Sequence, residues 1–153
     1  MVQNVSAFGI KVALRANVTY PVPIVLTQFA DETDPFDIPS IAIAETAKGV
    51  NGDLVTWSSA NPVNITLAMI AGSDDDEAMS LLFQANNPSG LATPSGDIIV
   101  LTAIYPDTSV VVASGGVPLE FMPGKSVATA GRLKSNTYTF SFEQIVQTPA
   151  VAA

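Results

Sequence analysis

This chain of 153 residues has no histidine and no cysteine, and only 13% of it is charged. Without cysteine there is no thiol redox role, and the final home of the protein is left open between reducing and oxidising compartments. Without either residue, a nucleophile would need a Ser–Lys pair or a carboxylate dyad. Cations are scarce as well: six Lys and Arg stand against fourteen Asp and Glu, for a formal charge of −8 and a pI near 4.1. Such a chain does not draw nucleic acid by counterion release, which needs clustered cations facing phosphates. Long apolar runs are missing too. Nothing reaches the roughly 18 uninterrupted apolar residues of a membrane span. Met1 to Gly9 shows neither the basic start nor the long apolar run of a secretory signal, so the expectation is a soluble protein made in the cytoplasm.

What is present is material for packing: 48% of the residues are hydrophobic. Globular chains usually carry about 25% charged residues, so a surface this poor in charge implies that much of it is covered by something else. Assembly is the first inference and catalysis a distant second. The length suits one domain with a core that needs no disulfide or metal.

Period-two alternation dominates the chain. Ile10, Val12 and Leu14 alternate with Lys11, Ala13 and Arg15, as in a half-buried strand. Pro21 and Pro23 bracket a run, Ile24 to Phe29, that suits a sheet edge. Ile41 to Glu45 and Leu54 to Ser58, which contains Trp57, flank Asn51-Gly52, a signal for a tight primed turn. Val63, Ile65, Leu67 and Met69 form one inward series, with Asn64 and Thr66 facing away. Asp97 to Tyr105 and Ser109 to Ser114 read as a central hairpin across Pro106-Asp107. In the last predicted strand Tyr138, Phe140 and Phe142 point one way and Thr137, Thr139, Ser141 and Glu143 the other.

One helix interrupts the strands. Ser73 is the expected N-cap, with Asp76 three residues on, and Asp74 to Glu77 sit where the helix dipole favours negative charge. Met79, Leu82 and Phe83 follow at helical spacing before Asn86-Asn87-Pro88 ends the element. Many strands, one helix and more strands predict a mainly β (α+β) fold: an antiparallel sandwich or barrel with one flanking helix near residues 74–86. The chain reads as a single domain, 1–153, with a loose tail over 147–153.

No motif here carries chemistry. The 74–77 run reads as a capped helix start rather than a cation site, and Asp31, Glu32, Asp34 and Asp37 lack the ligand spacing of a calcium loop. Pro123-Gly124-Lys125-Ser126 has Leu119 where a phosphate-binding loop needs its first glycine. Asn4, Asn17 and Asn64 begin N-x-S/T triplets with no secretion signal to make them acceptors. Trp57 reads as core or interface packing. No metal, cofactor or catalytic residue is expected, and the chain is not expected to be an enzyme.

The charge map says more. Eight of the fourteen carboxylates fall in two clusters, 31–37 and 74–77, while Lys125, Arg132 and Lys134 share one loop. Separated patches of opposite sign set register between copies. The expectation is that Lys125, Arg132 and Lys134 meet an acidic cluster such as Asp31, Glu32, Asp34 and Asp37 on an adjacent copy; the plain alternative is a solvated surface.

Two segments, ADETDPFDIPSIAIAETAKGVNGDLVTWSSANPVNITLAMIAGSDDDEAMSLLFQAN (Ala30 to Asn86) and PGKSVATAGRLKSNTYTFSFE (Pro123 to Glu143), together about half of the chain, resemble tail proteins of long-tailed, especially contractile-tailed, bacteriophages. The nearest resemblance is to the tail tube protein. That resemblance implies a virion component, a β-sandwich with a flanking helix, and homo-hexameric rings stacked into a hollow tube that conducts DNA without binding it. It implies sheath, baseplate and terminator proteins as partners, with no membrane. In that setting the polar strand face of Thr137, Thr139, Ser141 and Glu143 is the expected lumen lining, with Asn64 and Thr66 second; the opposite orientation would turn this face against the helix. A tube initiator, a terminator, a baseplate ring protein and, more remotely, a ligand-binding domain of a tail fibre remain as alternatives.

Overall fold

In the computed structural model, residues 9–31, 34–89 and 93–149 are described. In chain order the elements are β1 (Lys11–Ala16), β2 (Tyr20–Leu26), β3 (Phe36–Asp37), β4 (Ala44–Lys48), β5 (Leu54–Ser58), β6 (Val63–Met69), α1 (Asp74–Ala85), β7 (Ile99–Ile104), β8 (Val110–Phe121), β9 (Asn136–Phe142) and β10 (Gln144–Thr148). The expected architecture holds: an antiparallel sandwich with one helix at its flank, and no closed barrel within the single chain.

Eight strands form one continuous sheet in the order β2-β1-β7-β8-β9-β6-β3, with β10 paired to β8. β8 belongs to both leaves. Its first half pairs with β7 and β10, and its second half, from Val117 onward, with β9. The chain bends from one leaf to the other at Gly115-Gly116. A Cβ on Gly116 would sit 2.4 Å from the Phe142 ring, and Gly115 has φ +65°. Glycines suit this crossing, because a side chain at Gly116 would run into the Phe142 ring and one at Gly115, besides needing positive φ, into the Glu143 side chain.

Between the leaves lies the core: Val12, Leu14, Leu101 and Ala113 from one side, and Ile65, Leu67, Tyr138, Phe140 and Phe142 from the other. The helix contributes Met79, Leu82 and Phe83, the i, i+3, i+4 stripe of an amphipathic helix. Phe83 packs on Phe121, Tyr138 and Phe140 at ring-centroid distances of 5.5, 5.2 and 4.9 Å, within the favoured range for aromatic pairs.

Several boundaries differ from the sequence reading, each for a physical reason. β2 starts at Tyr20 and contains both prolines, which an edge strand tolerates because every second N–H points away from the ladder. β8 runs on to Phe121, since Gly115-Gly116 is a hinge and Pro118 adjoins a bulge, not a stop. Of the tail expected over 147–153, β10 takes the first two residues, pairing Gln147 with Val111 and Thr148 with Val110; residues 150–153 lie outside the described residues. The turn between β4 and β5 is longer than a two-residue primed turn. Gly52 N donates to Gly49 O at 2.9 Å, and Gly52, not Asn51, takes the left-handed conformation.

Candidate assembly surfaces

The capped helix start does more than satisfy a dipole. Ser73 Oγ accepts from Asp76 N as expected, but the Asp76 side chain turns inward and is only 2% exposed. Its carboxylate accepts from Tyr138 Oη at 2.6 Å, from Asn136 Nδ2 at 2.8 and 3.0 Å, and from Gly72 N at 3.0 Å. Burial, then the Asp76 hydrogen bond and charge, push the Tyr138 hydroxyl far above the ordinary phenol range. Asp75 accepts from Thr27 N and Gln28 N at 2.7 and 2.8 Å and ties the helix start to the segment after β2. The inward Tyr138 was visible in the alternation; that its hydroxyl needs a buried acceptor was the unread signal.

Beside this cluster runs a groove of about 330 Å3 between α1 and the segment after β8. Glu77 and Leu81 stand on the helix wall, Met122, Pro123 and Lys125 on the other, and Asp76 and Asn136 at the base. The Lys125 ammonium lies over Gly72. Sequence reasoning missed this groove, because it depends on segments far apart in the chain, the helix and Met122 to Lys125, folding together.

The charge loops meet within one chain. Arg132 donates to and ion-pairs with Asp31, both half-exposed, and the Arg132 hydrogen bond holds the Asp31 carboxyl below its usual range. Lys125 and Lys134 are exposed elsewhere in that loop, and Asp34 is exposed before β3. Asp37 lies in β3 opposite Thr66. Glu32 lies outside the described residues.

The polar strand face is continuous across the second leaf. Directly paired residues share a face, so the pairings place Asp37, Thr66, Thr139 and Glu120 in one row and Asn64, Ser141 and Val117 in the next. Thr66 and Thr139 hydroxyls lie 3.3 Å apart. Thr137 is half-buried on the same face, whereas Glu143 stands exposed at the kink between β9 and β10. No Lys or Arg occurs in β3, β6, β9 or the Val117–Phe121 half of β8.

Finally, β4 and β5 form a two-stranded sheet of their own, joined to no other strand among the described residues. All ten of their residues are exposed, among them Val55 and Trp57, and Ile43 and Val50 extend the apolar surface at either end. Trp57 is therefore outside the core; its Nε1 donates across the hairpin to Glu45 Oε2 at 2.6 Å. Among the described residues no group of three or more acidic side chains is placed to hold a metal, and no helix is long and apolar enough to cross a membrane.

The described chain is thus a sandwich with one flanking helix, a polar face without Lys or Arg and an exposed apolar hairpin that no other described strand joins. Over residues 3–146 the sequence matches the family described as tail fiber protein gp32, and the chain belongs to that family. Solved structures share the fold across their whole length. A chain of the PVC extracellular contractile injection system, from its sheath/tube terminator in the extended state, superposes with a TM-score of 0.59 at 13% identity, over 97% of this chain and 99% of that one. A chain of the anti-feeding prophage tube-terminating cap gives 0.56 at 15% identity, over 98% and 94%. One from the six-fold symmetrised anti-feeding prophage baseplate gives 0.56 at 10%, over 99% and 100%. No curated protein sequence matches the chain. The protein is a phage-tail-related structural component.

Proposed function

We propose that the chain is the tail tube subunit, closing into hexameric rings that stack into a hollow conduit for DNA. The observation that carries this reading is the face of Asn64, Thr66, Thr139, Ser141, Asp37 and Glu120, which offers hydroxyls, an amide and carboxylates but no cation. A wall of that composition lets a polyanion slide, because phosphate affinity comes from Lys and Arg. The mechanism is geometric and makes or breaks no bond: contacts within a ring close by rotation, and ring-on-ring contacts repeat into a filament. Sheath, baseplate and terminator proteins are the partners this role requires, in a virion whose parts are made in the host cytoplasm.

A terminator or cap is the second reading, favoured by the likeness to the PVC terminator and the anti-feeding prophage cap. Such a protein forms one ring and stops. Electron microscopy of the purified protein, with light-scattering sizing, separates the two. Long hollow tubes support the tube subunit, isolated rings support the terminator, and a strict monomer or a fibre-like trimer overturns both.

A further inference from the structure

The groove beside Asp76 and the β4–β5 hairpin are each incomplete alone, and their charges and apolar surfaces are complementary. The hairpin tip carries Lys48 and Asp53 on its two strand ends, with Val50 fully exposed and Leu54 68% exposed. The groove sets Glu77 on the helix wall and Lys125 on the facing wall, with Leu81, 58% exposed, and Met122 and Pro123 between them. We propose that this groove receives the hairpin tip of a second copy of the chain, Lys48 lying against Glu77 and Asp53 against Lys125. The inference rests on the ring-and-tube reading, since it needs contact between copies, and it names the surfaces that meet.

Three observations carry it. A two-stranded hairpin is marginally stable in water, and this one joins no other strand among the described residues. The size is right for side chains: about 330 Å3 lies at the low end of the roughly 300–1,000 Å3 typical of ligand clefts, room for a valine and its neighbours. Each surface carries one charge of each sign, Lys48 and Asp53 on the tip and Glu77 and Lys125 at the groove, so one orientation pairs opposite charges and the reverse pairs like ones. In a chain of net charge −8, copies repel at long range, and paired contacts of this kind decide which surfaces meet.

The absence of cysteine makes the test clean. Val50→Cys and Leu81→Cys are prepared as separate proteins, mixed at assembly concentration and oxidised; a mixed disulfide between the two variants is expected on a non-reducing gel. In parallel, K48E lowers the assembled fraction roughly tenfold and E77K in the same chain restores it, as charge pairing requires. Both positions are exposed, so folding is retained. Absence of the mixed disulfide, or a K48E/E77K protein as defective as K48E, overturns the proposal. Wild-type tubes without the disulfide would sink this contact and leave the tube reading standing. The disulfide without tubes would do the reverse.

Discussion

At the scale of single residues, two buried carboxylates hold the molecule together by collecting donors. Asp76 joins the helix start to β9, and Tyr138 supplies its shortest bond. Hydrogen bonds to a charged partner contribute about 1.5–3 kcal/mol, so Tyr138→Phe is expected to lower unfolding free energy by that amount, with an unchanged denaturant slope in urea titration. Asp97 plays the same part for the turn after β1. It accepts from Val18 N, Thr19 N, Thr19 Oγ1 and Asn86 Nδ2. Burial pushes its pKa up, but the bonds from Thr19, Asn86 and Val18 outweigh burial, and the net shift is downward. A carboxyl lowered in the folded state stabilises fully above its unfolded value, about 3.9, and that contribution is lost as pH falls through the folded value. Asp97→Asn, which turns one acceptor into a donor facing donors, is expected to cost about 2–3 kcal/mol at pH 7. The deficit should shrink in melts taken below about pH 4; a deficit constant down to pH 2 would refute the assignment.

At the scale of elements, the hinge in β8 decides how the two leaves face each other. A Cβ on Gly116 would meet the Phe142 ring at 2.4 Å and the Ile99 carbonyl at 3.1 Å, whereas one on Gly124 meets nothing within 4 Å. Overpacking of this kind costs about 1–3 kcal/mol. Gly116→Ala is therefore expected to lower thermal stability, with Gly124→Ala close to wild type; equal melting temperatures for the two would show that the crossing relaxes freely. The same element shows why some of the fold was legible and some was not. β1, β6, β9 and α1 each bury one face, so their periodicity announces them. The second half of β8 does not, because Gly115, Gly116 and Pro118 look like breakers until the partner strand is in place, and β10 does not, because it follows β9 after Glu143 alone and leaves most of its residues exposed. Polar residues facing away from the core were readable on β6 and β9, and the structure adds that β3 and β8 extend that face with Asp37 and Glu120. The hairpin was foreseen from Asn51-Gly52, but its isolation was not, since local sequence does not say which strands go unpaired. The groove was invisible for the same reason: Asp76, Lys125 and Asn136 meet only through tertiary folding.

For the whole molecule, charge is distributed by surface. The outward side of β1 carries Lys11 and Arg15, while the polar face of the second leaf carries no cation. If that face lines a conduit, Asn64 becomes enclosed when copies assemble, although it is exposed in the single chain. Asn64→Cys places a lone thiol there, in a protein with no other. In the free subunit it should react with both a small maleimide and a maleimide carried on a folded protein. After assembly the small reagent should still enter and react, while the bulky one is excluded. Each other pattern points elsewhere: protection from both reagents makes the face a contact between copies, and reaction with both puts it on the outside. The first pattern alone is compatible with a lumen, because it requires a space that is wet, enclosed and narrow. It also bears on the hairpin, since a lumen on the second leaf leaves β4–β5 and the helix groove free to meet between copies.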